Sequence, residues 1–150
     1  LQACLFRTKD DMAALIKKAC AIRLVKGAFA ENSQISLTRK KDIDMQYLAF
    51  AGNMLGAARV NNHFYPVFAT HDKNMIDRIN TMAEKSAIPP EAYEFEMLFG
   101  VKQDLQKHLV QSGYRIRVYL PYGRDFWPYA VRRVGENPKN IKYLLKSLLK

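Results

Sequence analysis

Apolar strand-like runs alternate with amphipathic helical stretches along this entire chain, and that alternation limits the folds open to it. The strand-like runs are LQACLFR (1–7), IRLVKGA (22–28), FYPVFAT (64–70), YEFEML (93–98) and YRIRVYL (114–120). Helical periodicity marks 10–20, 43–60, 72–86, 101–111, 125–136 and 138–149. Capping signals fall at Asp10 or Asp11, at Asp72, and at Asn137 just ahead of Pro138. Strand followed by helix, five times over, predicts parallel pairing with crossover helices. The runs are nearly continuous in apolar character, as expected where both faces of a sheet are covered. No GxGxxG or GxxxxGK loop follows any of them, which counts against a dinucleotide fold or an NTPase. A (β/α)8 barrel takes roughly 250 residues. The 150 residues here, with their five units, therefore predict an α/β fold forming the C-terminal portion of such a barrel. The chain opens directly on strand-like residues at Leu1, so residues 1–150 are expected to be part of one barrel domain that lacks its N-terminal strands.

Charge and cysteine usage narrow the function classes. The formal net charge is +10, but Lys and Arg are spread over nearly every helix, with no basic stripe and no interleaved stacking residues, so nucleic acid is not the expected partner. Cys4 lies in an apolar run and Cys20 among alanines, without metal-ligand spacing, which predicts buried thiols in a reducing compartment. No signal peptide and no apolar run of membrane-spanning length is present. In the tail IKYLLKSLLK, Leu144, Leu145, Leu148 and Leu149 oppose Lys142, Lys146 and Lys150. That pattern suits a helix covering the outside of a sheet, or one docked on anionic lipid.

The polar residues with chemical potential gather after the strands: Lys26 and Gly27, Thr70 and His71, and Tyr119 to Gly123. In barrels the active site is built on that rim. Arg23 and Lys26 are unusual in an apolar run. Alternation puts Arg23, Val25 and Gly27 on one face and Leu24, Lys26 and Ala28 on the other. They read either as strand-end charges reaching water or as anion and cofactor contacts, with Gly27 permitting close backbone approach. His71 is either structural or functional; His63 and His108 are isolated, so no metal site is expected. Glu94 and Glu96 share a strand face, an arrangement open to acid–base work or to neutralising nearby cations.

The segment 114–138 carries the strongest signal. Tyr129, Arg132, Arg133 and Glu136 recur at i, i+3, i+4 and i+7, placing a phenol, two guanidiniums and a carboxylate on one helical face. Such a face is either a solvated ion-pair surface or a clamp for a small carboxylate or phosphate.

Together RLVKGAF (23–29), FATHD (68–72), YEFEMLFGV (93–101), RVYLPYG (117–123) and YAVRRVGENP (129–138) resemble, in order and spacing, the flavin-dependent proline dehydrogenases, and LQACLFRT (1–8) looks like that family's fourth barrel strand. The resemblance implies a distorted (β/α)8 barrel that binds FAD, oxidises L-proline to Δ1-pyrroline-5-carboxylate and passes electrons to a membrane quinone. It implies a cytoplasmic protein and leaves open peripheral contact with the inner face of the membrane. By the same resemblance, Arg132 and Arg133 clamp the proline carboxylate and Tyr119 and Tyr129 wall its ring, while Glu136 holds the arginine pair. Arg23 lies close to the flavin's reactive nitrogen as the catalytic cation, and Gln2, Lys26, Gly27, Ala28, Thr70 and His71 contact the cofactor. Arg39 is left unassigned.

The sequence departs from the family at Phe29, where tyrosine is usual, and the family's active-site lysine and aspartate fall outside these residues. An opened barrel is expected to expose two strand edges and an apolar face, and the 150 residues alone are expected neither to retain FAD nor to turn over. The competing readings are another barrel enzyme for a small anion, such as an aldolase, and a basic interaction module.

Overall fold

A computed structural model describes residues 1–27, 31–120 and 122–123. Its elements follow the predicted order: α1 (Thr8–Ile16), β1 (Ala21–Leu24), α2 (Lys40–Val60), β2 (Tyr65–Ala69), α3 (Lys73–Lys85), a short 3-10 turn (Pro90–Ala92), β3 (Glu94–Leu98), α4 (Gln103–Gln111) and β4 (Arg115–Tyr119). The four strands form one parallel sheet in chain order, so the α/β class and the parallel pairing are as expected. The helices expected at 125–136 and 138–149, with the Asn137 cap, lie outside the described residues.

Three expectations are corrected. The run 1–7 is not a full strand: Gln2 makes a single parallel bridge to Val25, and Ala3 N and Cys4 N donate to Val25 O (2.7 Å) and Lys26 O (2.9 Å). The chain then turns, so the run extends the sheet beside β1 by only a few residues. Neither Asp10 nor Asp11 caps α1. Its N-cap is Arg7, without a side-chain cap bond, and Asp11 instead takes a forked contact from Arg7 at 2.7 and 3.0 Å. Cys4 is buried as expected, but Cys20 is only half-buried and lies in the turn before β1 rather than on a helix.

Asp72 does cap α3, its Oδ1 accepting from Asn74 N at 3.1 Å. Pro66 sits in a central strand at no cost. Tyr65 N donates toward β1, through Cys20 O at 3.5 Å. Alternation then turns Pro66 toward β3, where pairing begins only at Val67↔Glu94.

Strand alternation separates the sheet into two faces. Ile22, Leu24, Phe68, Phe95 and Met97 point to one side and are buried beneath the helices. Helix α3 contributes Met75, Ile76, Ile79 and Ala83 to this core and α2 contributes Tyr47, Ala51, Met54 and Leu55, both at helical spacing. Phe95 meets Tyr93 edge-on, centroids 5.7 Å apart, and packs near Phe68 and Tyr114 at 6.0 and 6.3 Å. The buried phenols are satisfied: Tyr47 donates to Leu24 O (3.3 Å) and Tyr93 to Asn80 Oδ1 (3.1 Å). The register puts Arg23, Val67, Ala69, Glu94, Glu96, Arg115, Arg117 and Tyr119 on the opposite face. That face is therefore rich in charge, not the apolar surface expected of an opened barrel.

Candidate active site

The C-terminal ends of the parallel strands bring together residues that lie far apart in sequence. Arg23 Nε lies 2.6 Å from Glu96 Oε2, reaching from β1 past β2 to β3. On the next strand Arg117 forks onto Glu94 at 2.6 and 3.2 Å. Each strand carboxylate thus has its own guanidinium, and of the two readings of the Glu94–Glu96 pair the neutralising one holds.

Lys26 follows β1 and is held by two carboxylates. Its Nζ bonds Asp72 Oδ2 at 2.9 Å and lies 2.6 Å from Asp44 Oδ1, a charge contact that is not aligned as a hydrogen bond. Lys40 pairs with the other Asp44 oxygen. Burial works against the charge on both aspartates, yet the lysines outweigh it. Lys26 holds Asp72 below the usual carboxylate range, helped by the backbone N–H groups of Met75 and Asn74, and Lys26 with Lys40 does the same for Asp44.

Thr70 and His71 form the joint between β2 and α3. Thr70 Oγ1 accepts from Asp72 N at 3.1 Å, a turn bond that fixes the helix start. His71 Nε2 accepts the N–H of Leu98, at the end of β3, at 2.8 Å. A ring nitrogen that accepts carries no proton, so the proton of the neutral ring is on Nδ1. Burial, with a smaller contribution from the Lys102 ammonium, lowers the imidazole's affinity for a second proton.

Gly27 adopts φ +117°, and a Cβ there would meet Cys4 Sγ at 2.3 Å and Gln2 Oε1 at 3.5 Å. Only glycine allows the chain after β1 to pass so close to residues 2–4, and this brings Gln2 beside Gly27. Tyr119 ends β4, on the Arg117 side of the sheet and opposite Leu98.

The structure therefore gathers Gln2, Arg23, Lys26, Gly27, Thr70, His71 and Tyr119 at one end of the sheet. Ala28, Tyr129, Arg132, Arg133 and Glu136 lie outside the described residues, as does Phe29. Arg39 pairs with Asp42 at 2.6 Å at the start of α2. Sequence reading missed Asp44 as a partner of Lys26 and saw Asp72 only as a cap. Nothing local signals either contact, since both depend on how α2 and α3 pack. Arg117 was also missed, although its two-residue spacing from Arg115 matches that of Glu94 and Glu96. Among the described residues no cluster of metal-binding side chains occurs, and no helix is long and apolar enough to cross a membrane.

A family profile described as proline dehydrogenase matches residues 2–144. The chain is 39% identical over 150 residues to proline dehydrogenase from Deinococcus radiodurans, covering all of this chain and 47% of that protein. It is equally 39% identical to proline dehydrogenase 2 of Bacillus subtilis strain 168, covering 48% of that protein. The chain thus spans about half the length of these relatives. Among solved structures it is similar to proline utilization A (PutA) from Bdellovibrio bacteriovorus, inactivated by N-propargylglycine. There the TM-score is 0.82 at 32% identity, covering 91% of this chain and 16% of that one. The match over nearly every residue, by sequence and by fold, makes this chain a member of the proline dehydrogenase family.

Proposed function

We propose that the protein carrying this chain is a flavin-dependent proline dehydrogenase. It oxidises L-proline to Δ1-pyrroline-5-carboxylate on FAD and delivers the electrons to a membrane quinone, with this chain forming the C-terminal portion of a distorted (β/α)8 barrel. The observation that carries the reading is the convergence of Gln2, Arg23, Lys26, Gly27, Thr70 and His71, from separate elements, at the C-terminal ends of parallel strands. That donor set fits a flavin. It combines a guanidinium, a neutral imidazole N–H, a carboxamide and a glycine that lets backbone approach a flat ring closely.

FAD would supply the two-electron acceptor that oxidation of a carbon–nitrogen bond needs. The side chains supply position and electrostatics. Arg23 presents positive charge to the flavin ring, favouring its electron-rich form. Gln2, Lys26, Gly27, Ala28, Thr70 and His71 hold the cofactor. Lys26 does so as part of a charge-balanced cluster with Asp44 and Asp72, so it adds little net positive field. Arg132 and Arg133 clamp the proline carboxylate, Glu136 steadies them, and Tyr119 and Tyr129 wall the ring. In this reading the enzyme is cytoplasmic, and delivery of electrons to a membrane quinone is compatible with peripheral contact at the inner face of the membrane.

The test is spectroscopic. The purified holoprotein is expected to be yellow, to bleach on addition of L-proline without oxygen, and to lose activity with N-propargylglycine. A colourless protein that takes up no added FAD overturns the reading.

A further inference from the structure

We infer that Glu96 is the residue that positions Arg23 at the flavin and tempers its charge; this rests on the role of Arg23 proposed above. The two residues are not on adjacent strands. Arg23 pairs with Val67 on β2, while Glu96 pairs with Ala69 two residues further along. The arginine therefore leans toward the strands' C-terminal ends as it crosses β2. The β2 residues on this face along that path are Val67, level with Arg23, and Ala69, level with Glu96, the latter a single methyl group.

The contact is made through Nε at 2.6 Å, so it fixes the side chain at its branch point and does not use the terminal amino groups that point away from the stem. Glu96 is largely enclosed, at 10% side-chain exposure, whereas Arg23 is half open at 52%. The carboxylate is thus anchored in the sheet and the guanidinium presented outward. Arg117 is the register neighbour of Glu96, yet it is forked onto Glu94. That second pair leaves Glu96 committed to Arg23.

The arrangement has two effects. It holds the guanidinium in one place, and it sets a negative charge behind the positive one. A cation backed by a carboxylate stabilises added electron density less than a bare cation does.

The experiment compares the two-electron midpoint potential of bound FAD in wild-type holoenzyme with that in Glu96→Gln, Glu96→Asp, Arg23→Gln and the Arg23→Gln/Glu96→Gln double variant. Glutamine keeps an acceptor for Nε while removing the charge. Glu96→Gln is expected to shift the potential upward by about 30 mV, the equivalent of a tenfold change in a two-electron equilibrium. Glu96→Asp keeps the charge and stays near wild type, and adding Glu96→Gln to Arg23→Gln produces no further shift. The flavin spectrum of each variant reports that it is folded and loaded.

An unchanged potential in flavin-loaded Glu96→Gln overturns the inference while leaving the proposed function standing. The same upward shift in the Arg23→Gln background overturns it too, because Glu96 would then act without Arg23. A wild-type protein that binds no flavin overturns both.

Discussion

On the helix side of the sheet, Leu24, Phe68 and Phe95 are fully buried in a core with an edge-on aromatic cluster; on the other side, the residues between them are Arg23, Glu94, Glu96 and Arg117, joined as two ion pairs. The same strands build both faces, one residue out of step. One face stabilises and the other holds charge where a ligand can use it. The separation depends on register, since slipping a strand by one residue would exchange its two faces, turning Arg23 of β1 or Glu94 and Glu96 of β3 toward the core and Leu24 or Phe95 toward the site.

The largest expected effect comes from breaking the covered face. Phe95→Ala removes a fully buried ring packed against Phe68, Tyr93 and Tyr114, and should cost about 3–5 kcal/mol in urea unfolding of the holoprotein. If the covered face carries stability alone, any flavin-loaded fraction of that variant keeps its wild-type potential. Gly27→Ala comes next and tests the rim. It forces a side chain into a positive-φ position and against Cys4 Sγ, costing about 1–3 kcal/mol. Loss of FAD affinity should exceed what the fall in stability explains, and adding Cys4→Ala should restore part of it.

The smallest effect sharpens the comparison through pH. The folded state lowers the His71 pKa, chiefly by burial, so the unfolded chain binds more protons in that range. The resulting stability is complete above the ordinary histidine value of about 6.5 and is lost as pH falls from there toward the lowered value. Thermal midpoints measured from pH 7.5 to 5.5 should decline, and His71→Gln, which keeps an acceptor for Leu98 N, should flatten the slope.

The order of elements was legible because apolar runs and helical spacing are local. Boundaries moved where neighbours decided them. The run 1–7 joins the sheet only through the bridge at Gln2 because the chain turns immediately after, with Leu5 N donating back to Gln2 O at 3.2 Å and Leu5 bridging instead to Ser36. Individual rim residues were also legible, since a charge in an apolar run stands out. Their partners were not. Glu96 lies 73 positions from Arg23, and Asp44 reaches Lys26 only because α2 packs over the sheet. The expected apolar open face failed for a related reason. Strand-like apolar character identified YRIRVYL and YEFEML as strands, but left undecided whether their charged residues would meet.

The contact between Arg23 and Glu96 also has a geometric meaning. On a flat sheet, strands two apart lie roughly 10 Å from each other, and side chains standing upright on them would not touch. Here the long arginine leans across instead, so this ion pair acts as a strut over β2 that ties β1 to β3. It couples the spacing of those two strands to the location of a guanidinium. A bulkier residue at position 69, pressing up between the two, would prise the pair open and relocate that charge without altering any donor in the site.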